Sequence, residues 1–187
     1  MNKSIYLVAL AVIFFYNCSG NTSKQQTENE SDPEMHHNED GEGQQGGDSS
    51  AVLEAYLTLK DALVDGNQEA AAKAGATLAS SIGSFSLSTF KEADQQELSE
   101  IVETAKEHGE HIAKSDIGHQ REHFEMLSKD MVDLVAIVGT DKTLYQQYCP
   151  MYNNNKGGMW LSAKKEIRNP YFGDKMLACG SVQKEIN

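Results

Sequence analysis

The chain of 187 residues carries 28 acidic and 16 basic side chains, a formal charge of −12, and 39% of its residues are apolar. That size suits one domain plus appendages. The acidic excess argues against nucleic acid as a partner, because affinity for a phosphate backbone rests mostly on Lys and Arg. It suits cations better.

Three cysteines are too few for a disulfide-dense scaffold, and their placement divides them. Residues 1–18 read as an export signal: Lys3, an apolar run from Ile5 to Tyr16, then Asn17-Cys18. The run is shorter than the ~20 apolar residues needed to span a bilayer. A cysteine directly behind such a run resembles the signal of bacterial lipoproteins, in which it becomes the lipidated first residue of the mature chain. The alternative is an ordinary secretory signal with a spare thiol. Either places the domain outside the cytoplasm, and the first anchors it to the bacterial cell envelope by lipid alone, facing the periplasm or the outside.

Residues 19–50 read as a disordered acidic tether. From Asn21 to Ser50 there is no Leu, Ile, Val, Phe, Trp or Tyr, so the segment cannot bury enough apolar surface to offset its chain entropy. Eight acidic and two basic residues lie at or before Ser50, against 20 and 14 after it. Half of the net charge therefore sits outside the folded part. His36 and His37, flanked by Glu34, Glu39 and Asp40, form either a weak mobile metal-capture patch or a plain solvated linker.

The domain of residues 51–187 is predicted to be mainly α, an antiparallel four-helix bundle with a small C-terminal hairpin or irregular cap. Val52, Tyr56, Leu59 and Leu63 mark a first helix over Ala51 to Asp65, closed by Gly66, and Asn67 caps a second from Gln68 to Ile82. Thr89-Phe90-Lys91-Glu92 has the form of a capping box and predicts the start of a third helix, with Leu98, Ile101, Val102, Ala105 and Ile112 apolar, ending near Lys114. Ser115-Asp116 offers the cap of a fourth, Ile117 to Val138, whose stripe is Phe124, Leu127, Met131, Leu134 and Val138 before Gly139. Beyond Thr143, Leu144 to Met151 and Met159 to Ser162 read as short strands joined by a turn-rich Asn and Gly segment.

This tail gathers soft ligands. Cys149 and Met151 stand two apart, Met176 and Cys179 three apart, so each pair presents both sulfurs to one face of a strand or helical turn. Sulfur ligands favour Cu(I) over the oxygen-preferring cations. Two cysteines outside the cytoplasm also form structural disulfides, and methionine is ordinary core filler. Both readings stand. Four of the six histidines lie on the last two helices: His108 and His111 three apart, His119 and His123 four apart. Each pair shares a helix face, and antiparallel neighbours would bring the pairs together; imidazole suits copper and zinc alike. The competing reading is histidines of an acidic surface paired with Glu107, Glu110, Glu122 or Glu125.

The run Tyr148-Cys149-Pro150-Met151, then Trp160-Leu161-Ser162, then Glu166 to Gly180 with Asn169-Pro170-Tyr171-Phe172-Gly173, resembles the end of the domain of unknown function 3347 family. Gln120-Arg121-Glu122-His123-Phe124 with Leu127-Ser128 resembles its last helix. The resemblance covers roughly Ala51 to Val182. It implies secreted or lipid-anchored bacterial proteins, a domain also found joined to adaptor subunits of heavy-metal efflux pumps, and hence copper or a similar ion; Cys149, Met151, Met176 and Cys179 carry over as the motif's sulfur residues. This chain lacks the membrane-fusion-protein segments of those adaptors.

Two function classes follow. One is a lipid-anchored metal-binding protein that holds Cu(I), or zinc, between the tail sulfurs and the bundle histidines and buffers it or passes it to an efflux adaptor. The other is a non-catalytic envelope structural or interaction protein in which Cys149 and Cys179 form a disulfide. An enzyme is the weakest reading: no H-E-x-x-H or G-x-S-x-G is present, and nothing marks a nucleophile turn.

Overall fold

The structure is a computed structural model and describes residues 47–187. The export signal, Cys18, His36, His37 and nearly all of the tether lie outside the described residues. Four helices, α1 (Gly47–Val64), α2 (Gln68–Gly83), α3 (Glu92–Ile112) and α4 (Ile117–Val138), pack in chain order, each against the next. They form the predicted bundle, and no described helix is long and apolar enough to cross a membrane.

Two helix starts differ from expectation. α1 begins at Gly47, taking four residues from the predicted tether; the Ser50 hydroxyl donates to Asp141 Oδ2 at 3.3 Å, tying that first turn to the loop after α4. The capping box at Thr89 does not form. Lys91 is the N-cap of α3 and makes no side-chain cap bond. Phe90 instead stacks on Phe85 with ring centroids 5.7 Å apart, and the Gln95 amide donates to the Phe90 carbonyl at 2.8 Å. Packing of the aromatic pair holds residues 87–90 in a turn against their local preference. The other caps form as read: Asn67 accepts from the Ala70 amide, and Asp116 Oδ1 accepts from the amides of Gly118 and His119.

The core is the union of the predicted stripes. Val52, Tyr56, Leu59 and Leu63 of α1, Leu78 and Ile82 of α2, Leu98 and Ile112 of α3, and Phe124, Leu127, Met131 and Leu134 of α4 are all buried. α2 and α3 approach closely where glycines meet. A β-carbon on Gly75 would lie 2.7 Å from Ile112 Cγ2 and 3.0 Å from the Gly109 carbonyl oxygen. Gly109 stands between His108 and His111, so this contact also sets the depth of the histidine-bearing turn.

The tail folds as a three-stranded antiparallel sheet ordered β2-β1-β3, with β1 (Leu144–Cys149), β2 (Gly158–Ser162) and β3 (Ser181–Ile186). The turn between β1 and β2 runs through Asn153, Asn154 and Asn155, all left-handed at φ of 48°, 56° and 64°, a region asparagine tolerates better than most residues. β2 packs on α4. The Tyr56 hydroxyl joins three elements: it accepts from the Leu161 amide at 3.0 Å and shares a hydrogen bond with the Ser128 hydroxyl at 2.8 Å. Arg121 clamps the following loop, its guanidinium donating to the carbonyls of Pro170 and Leu63.

Gly75→Val forces a branched side chain into the α2–α3 contact. Overpacking of this kind costs about 1–3 kcal/mol, so urea unfolding should show a stability loss of that order, and unchanged stability would contradict the close approach.

Candidate metal centre

The four bundle histidines meet at the α3–α4 corner. Ala113 to Asp116 is the whole connection, and the Asp116 cap starts α4 so that His119 and His123 face the last turns of α3. The buried Gln120 holds the corner: its amide nitrogen donates to the carbonyls of Ile112 at 3.1 Å and Gln68 at 3.0 Å. It thereby adds a donor to the Ile112 carbonyl, which the Ser115 amide reaches at 3.5 Å, and ties in the start of α2.

His123 is the hub. Its ring stacks on His111 at 4.5 Å between centroids with an interplanar angle of 13°, and meets His119 edge-on at 4.6 Å. Its two nitrogens face different partners. His123 Nε2 lies 3.1 Å from His119 Nε2, and His123 Nδ1 lies 3.1 Å from His108 Nδ1. One ligating atom from each of His111, His119 and His123 falls within 4.8 Å of the other two, a spacing that admits a single metal ion. For metal–nitrogen bonds of the usual length, two ligands of a tetrahedral ion stand about 3.3 Å apart, close to the separation of the facing Nε2 atoms. His111 and His119 are exposed and His123 is half-buried, so the centre opens to solvent.

Carboxylates surround the rings. His119 Nδ1 donates to Glu122 Oε2 at 2.8 Å, which leaves His119 Nε2 as the lone-pair nitrogen directed at His123. Glu107 Oε1 is 3.7 Å from His111 Nε2. On the inner side, His108 Nε2 faces Asp130 Oδ2 at 3.9 Å. Burial pushes the Asp130 carboxyl up to about 6 and lowers His108; burial, then the neighbouring His111, His108 and His119, lowers His123.

The tail sulfurs divide. Cys149 is buried and Cys179 half-buried, with their Sγ atoms 2.6 Å apart. Burial, reinforced by Cys149, raises the Cys179 thiol to about 11, which keeps it protonated near neutral pH and a poor metal ligand. Met151 is exposed in a groove lined by Glu122, Met126, Tyr152 and Phe172, whereas Met176 is half-buried beside the short 3-10 turn Gly173–Lys175. Among the described residues, no set of three ligating His, Cys, Asp or Glu atoms within 4.8 Å includes a cysteine. The structure thus brings the histidines together and the cysteines together, in separate groups. Asn169 builds the scaffold around Cys179: its side-chain nitrogen donates to the Cys179 carbonyl, and its side-chain oxygen accepts from the amides of Tyr171 and Phe172. Trp160 is a core residue, as expected, packed edge-on to Tyr171.

Asp130 and Gln120 carry the corner and were not singled out from the sequence. Asp130 falls two turns beyond His123, and no spacing rule separates it from the other acids of α4.

Acidification should act on these groups in opposite directions. His108 and His123 titrate below 6.5 in the fold, so the unfolded chain takes up their protons first and stability falls as the pH drops below 6.5. Asp130 is raised from 3.8 to about 6, so its charge costs stability above that window, and the cost is relieved as the pH falls through it. Asp130→Asn removes the relief. Between about pH 7 and about pH 5 the variant should lose more stability in urea unfolding than the wild type; a smaller loss would contradict this assignment.

Residues 52–143 match the family described as Protein of unknown function (DUF3347). The matched span takes in nearly all of the four-helix bundle with its histidine cluster and ends before β1, so the sulfur-bearing tail lies beyond it. No curated protein and no solved structure matches the chain. The likeness to the DUF3347 family is thus carried by the bundle, over residues 52–143.

Proposed function

We propose that this protein is an extracytoplasmic, lipid-anchored metal-binding protein that holds a copper ion, or zinc, at His111, His119 and His123 and buffers it or passes it to a heavy-metal efflux adaptor. One observation carries this reading: three imidazoles from two helices present ligating nitrogens within 4.8 Å of one another at an open corner. Imidazole suits copper and zinc, and three protein ligands leave a position for water or for a ligand from the receiving protein. An exposed centre of this kind favours ligand exchange, which buffering and transfer require. Lipid attachment rests on the Cys18 signal alone.

The cysteine pair supports a second, non-catalytic reading, an envelope structural or interaction protein. Its Sγ–Sγ contact of 2.6 Å leaves only oxidation to staple the end of β1 to the loop before β3. The two readings use different residues and are separable.

Titration of the purified chain with Cu(I) under reductant, and with Cu(II) and Zn(II) without it, should show one ion per chain at submicromolar concentration. His119→Ala with His123→Ala should abolish binding, while Cys149→Ser with Cys179→Ser should preserve it. Undiminished binding in the histidine double variant would remove the proposed centre. A thiol count on protein isolated from the envelope decides the staple: none free at Cys149 and Cys179 supports it, and two free exclude it.

A further inference from the structure

We infer that His108 and Asp130 form an orienting arm behind the metal centre, in which Asp130 fixes the tautomer of His108 and His108 fixes that of His123, so that His123 Nε2 is held as a lone pair aimed at the ion. The inference rests on the metal-binding reading above and adds two positioning residues that do not touch the metal.

The atoms dictate the order. His108 Nδ1 and His123 Nδ1 stand 3.1 Å apart, a contact in which one neutral ring donates and the other accepts. Three neutral rings hold three protons for the four contacts from Asp130 to Glu122, so one contact is left without a proton, and the exposed His119–His123 contact, where a cation can stand in, is less costly to leave bare than the buried carboxylate. The choice is made at the far side of His108, whose Nε2 faces Asp130 Oδ2 at 3.9 Å. That oxygen is buried and has no hydrogen-bond partner. A carboxylate oxygen only accepts, so it favours the His108 tautomer protonated on Nε2. His108 Nδ1 is then the acceptor, His123 donates through Nδ1–H, and His123 Nε2 is left unprotonated. The same reasoning fixes His119 from the other side, where Nδ1 donates to Glu122 at 2.8 Å. Two lone pairs, His119 Nε2 and His123 Nε2, then point at each other across 3.1 Å, a repulsive contact that a cation between them relieves.

The two arms differ in surroundings. Glu122 is largely exposed, while the side chains of His108 and Asp130 retain only 16% and 21% of their accessible surface. The inner arm is therefore the less screened by water. Ligating histidines commonly use their second nitrogen in this way, and loss of such a partner typically weakens metal affinity by roughly 10- to 100-fold.

Two measurements on the full chain test the arm. Nitrogen-15 NMR of the metal-free protein at neutral pH should report His123 protonated on Nδ1 and His108 on Nε2. In Asp130→Asn the Nδ1–H form of His123 should lose population. Zn(II) and Cu(II) titrations should show roughly 10- to 100-fold weaker binding in Asp130→Asn and in His108→Gln, with the stoichiometry kept and the circular dichroism unchanged. His123 found protonated on Nε2 in the metal-free wild type, or wild-type affinity in both variants, would overturn the arm. A wild type that binds no metal would overturn the function proposed above, and the NMR tautomers would still decide the order of protons between Asp130 and His123.

Discussion

Everything at the candidate centre depends on one buried amide. Gln120 sits where α2 begins, α3 ends and α4 starts, and its side chain donates to a backbone carbonyl of each of the first two. These two bonds join the three helix ends in one register. That register sets His108 and His111 opposite His119 and His123. The glycine contact between Gly75 and Gly109 acts on the same turn of α3 from the other side, bringing α2 close enough that α3 has little freedom to shift.

The centre is a place where the fold gathers groups that repel when protonated together. Burial lowers the basicity of His123, and each neighbouring imidazole of the cluster adds to the effect. Such an arrangement costs the metal-free protein stability on acidification and offers a cation ready nitrogen ligands at neutral pH. The acidic residues lie outside the ring of nitrogens, on Glu107, Glu122 and Asp130, so they add negative potential without displacing imidazole as the ligand type. The overall charge of −12 says less than this local arrangement, since half of it belongs to residues up to Ser50.

Much of the bundle was legible because its signals are local. Apolar periodicity located four helices, and Asn67, Asp116 and Gly139 marked boundaries through their own hydrogen bonds or backbone preference. Pairing of the histidines also followed from helical spacing and a short connection. What failed was decided by contacts distant in sequence or by packing. Thr89 offered a good cap, but the Phe85–Phe90 stack took that segment out of the helix. β3 was missed because its residues are mostly exposed and polar, with only Val182 and Ile186 half-buried; its backbone pairing with β1 holds it, and pairing leaves no mark on composition. The expectation of a joint site of tail sulfurs and bundle histidines rests on counting soft ligands along the chain, and that count carries no sign of the contact between Cys149 and Cys179.

The tail and the bundle thus have separable roles in this account. The sheet rests on α4 through Tyr56, Ser128 and Leu161 and is clamped by Arg121, while the histidines stand at the α3–α4 corner. The most direct test of the central claim is the position of the ion itself. Anomalous diffraction from crystals grown with Zn(II) or Cu(II) should show one peak per chain, about 2.0–2.1 Å from nitrogens of His111, His119 and His123. A peak at Cys149 and Cys179, or none at the α3–α4 corner, would contradict it.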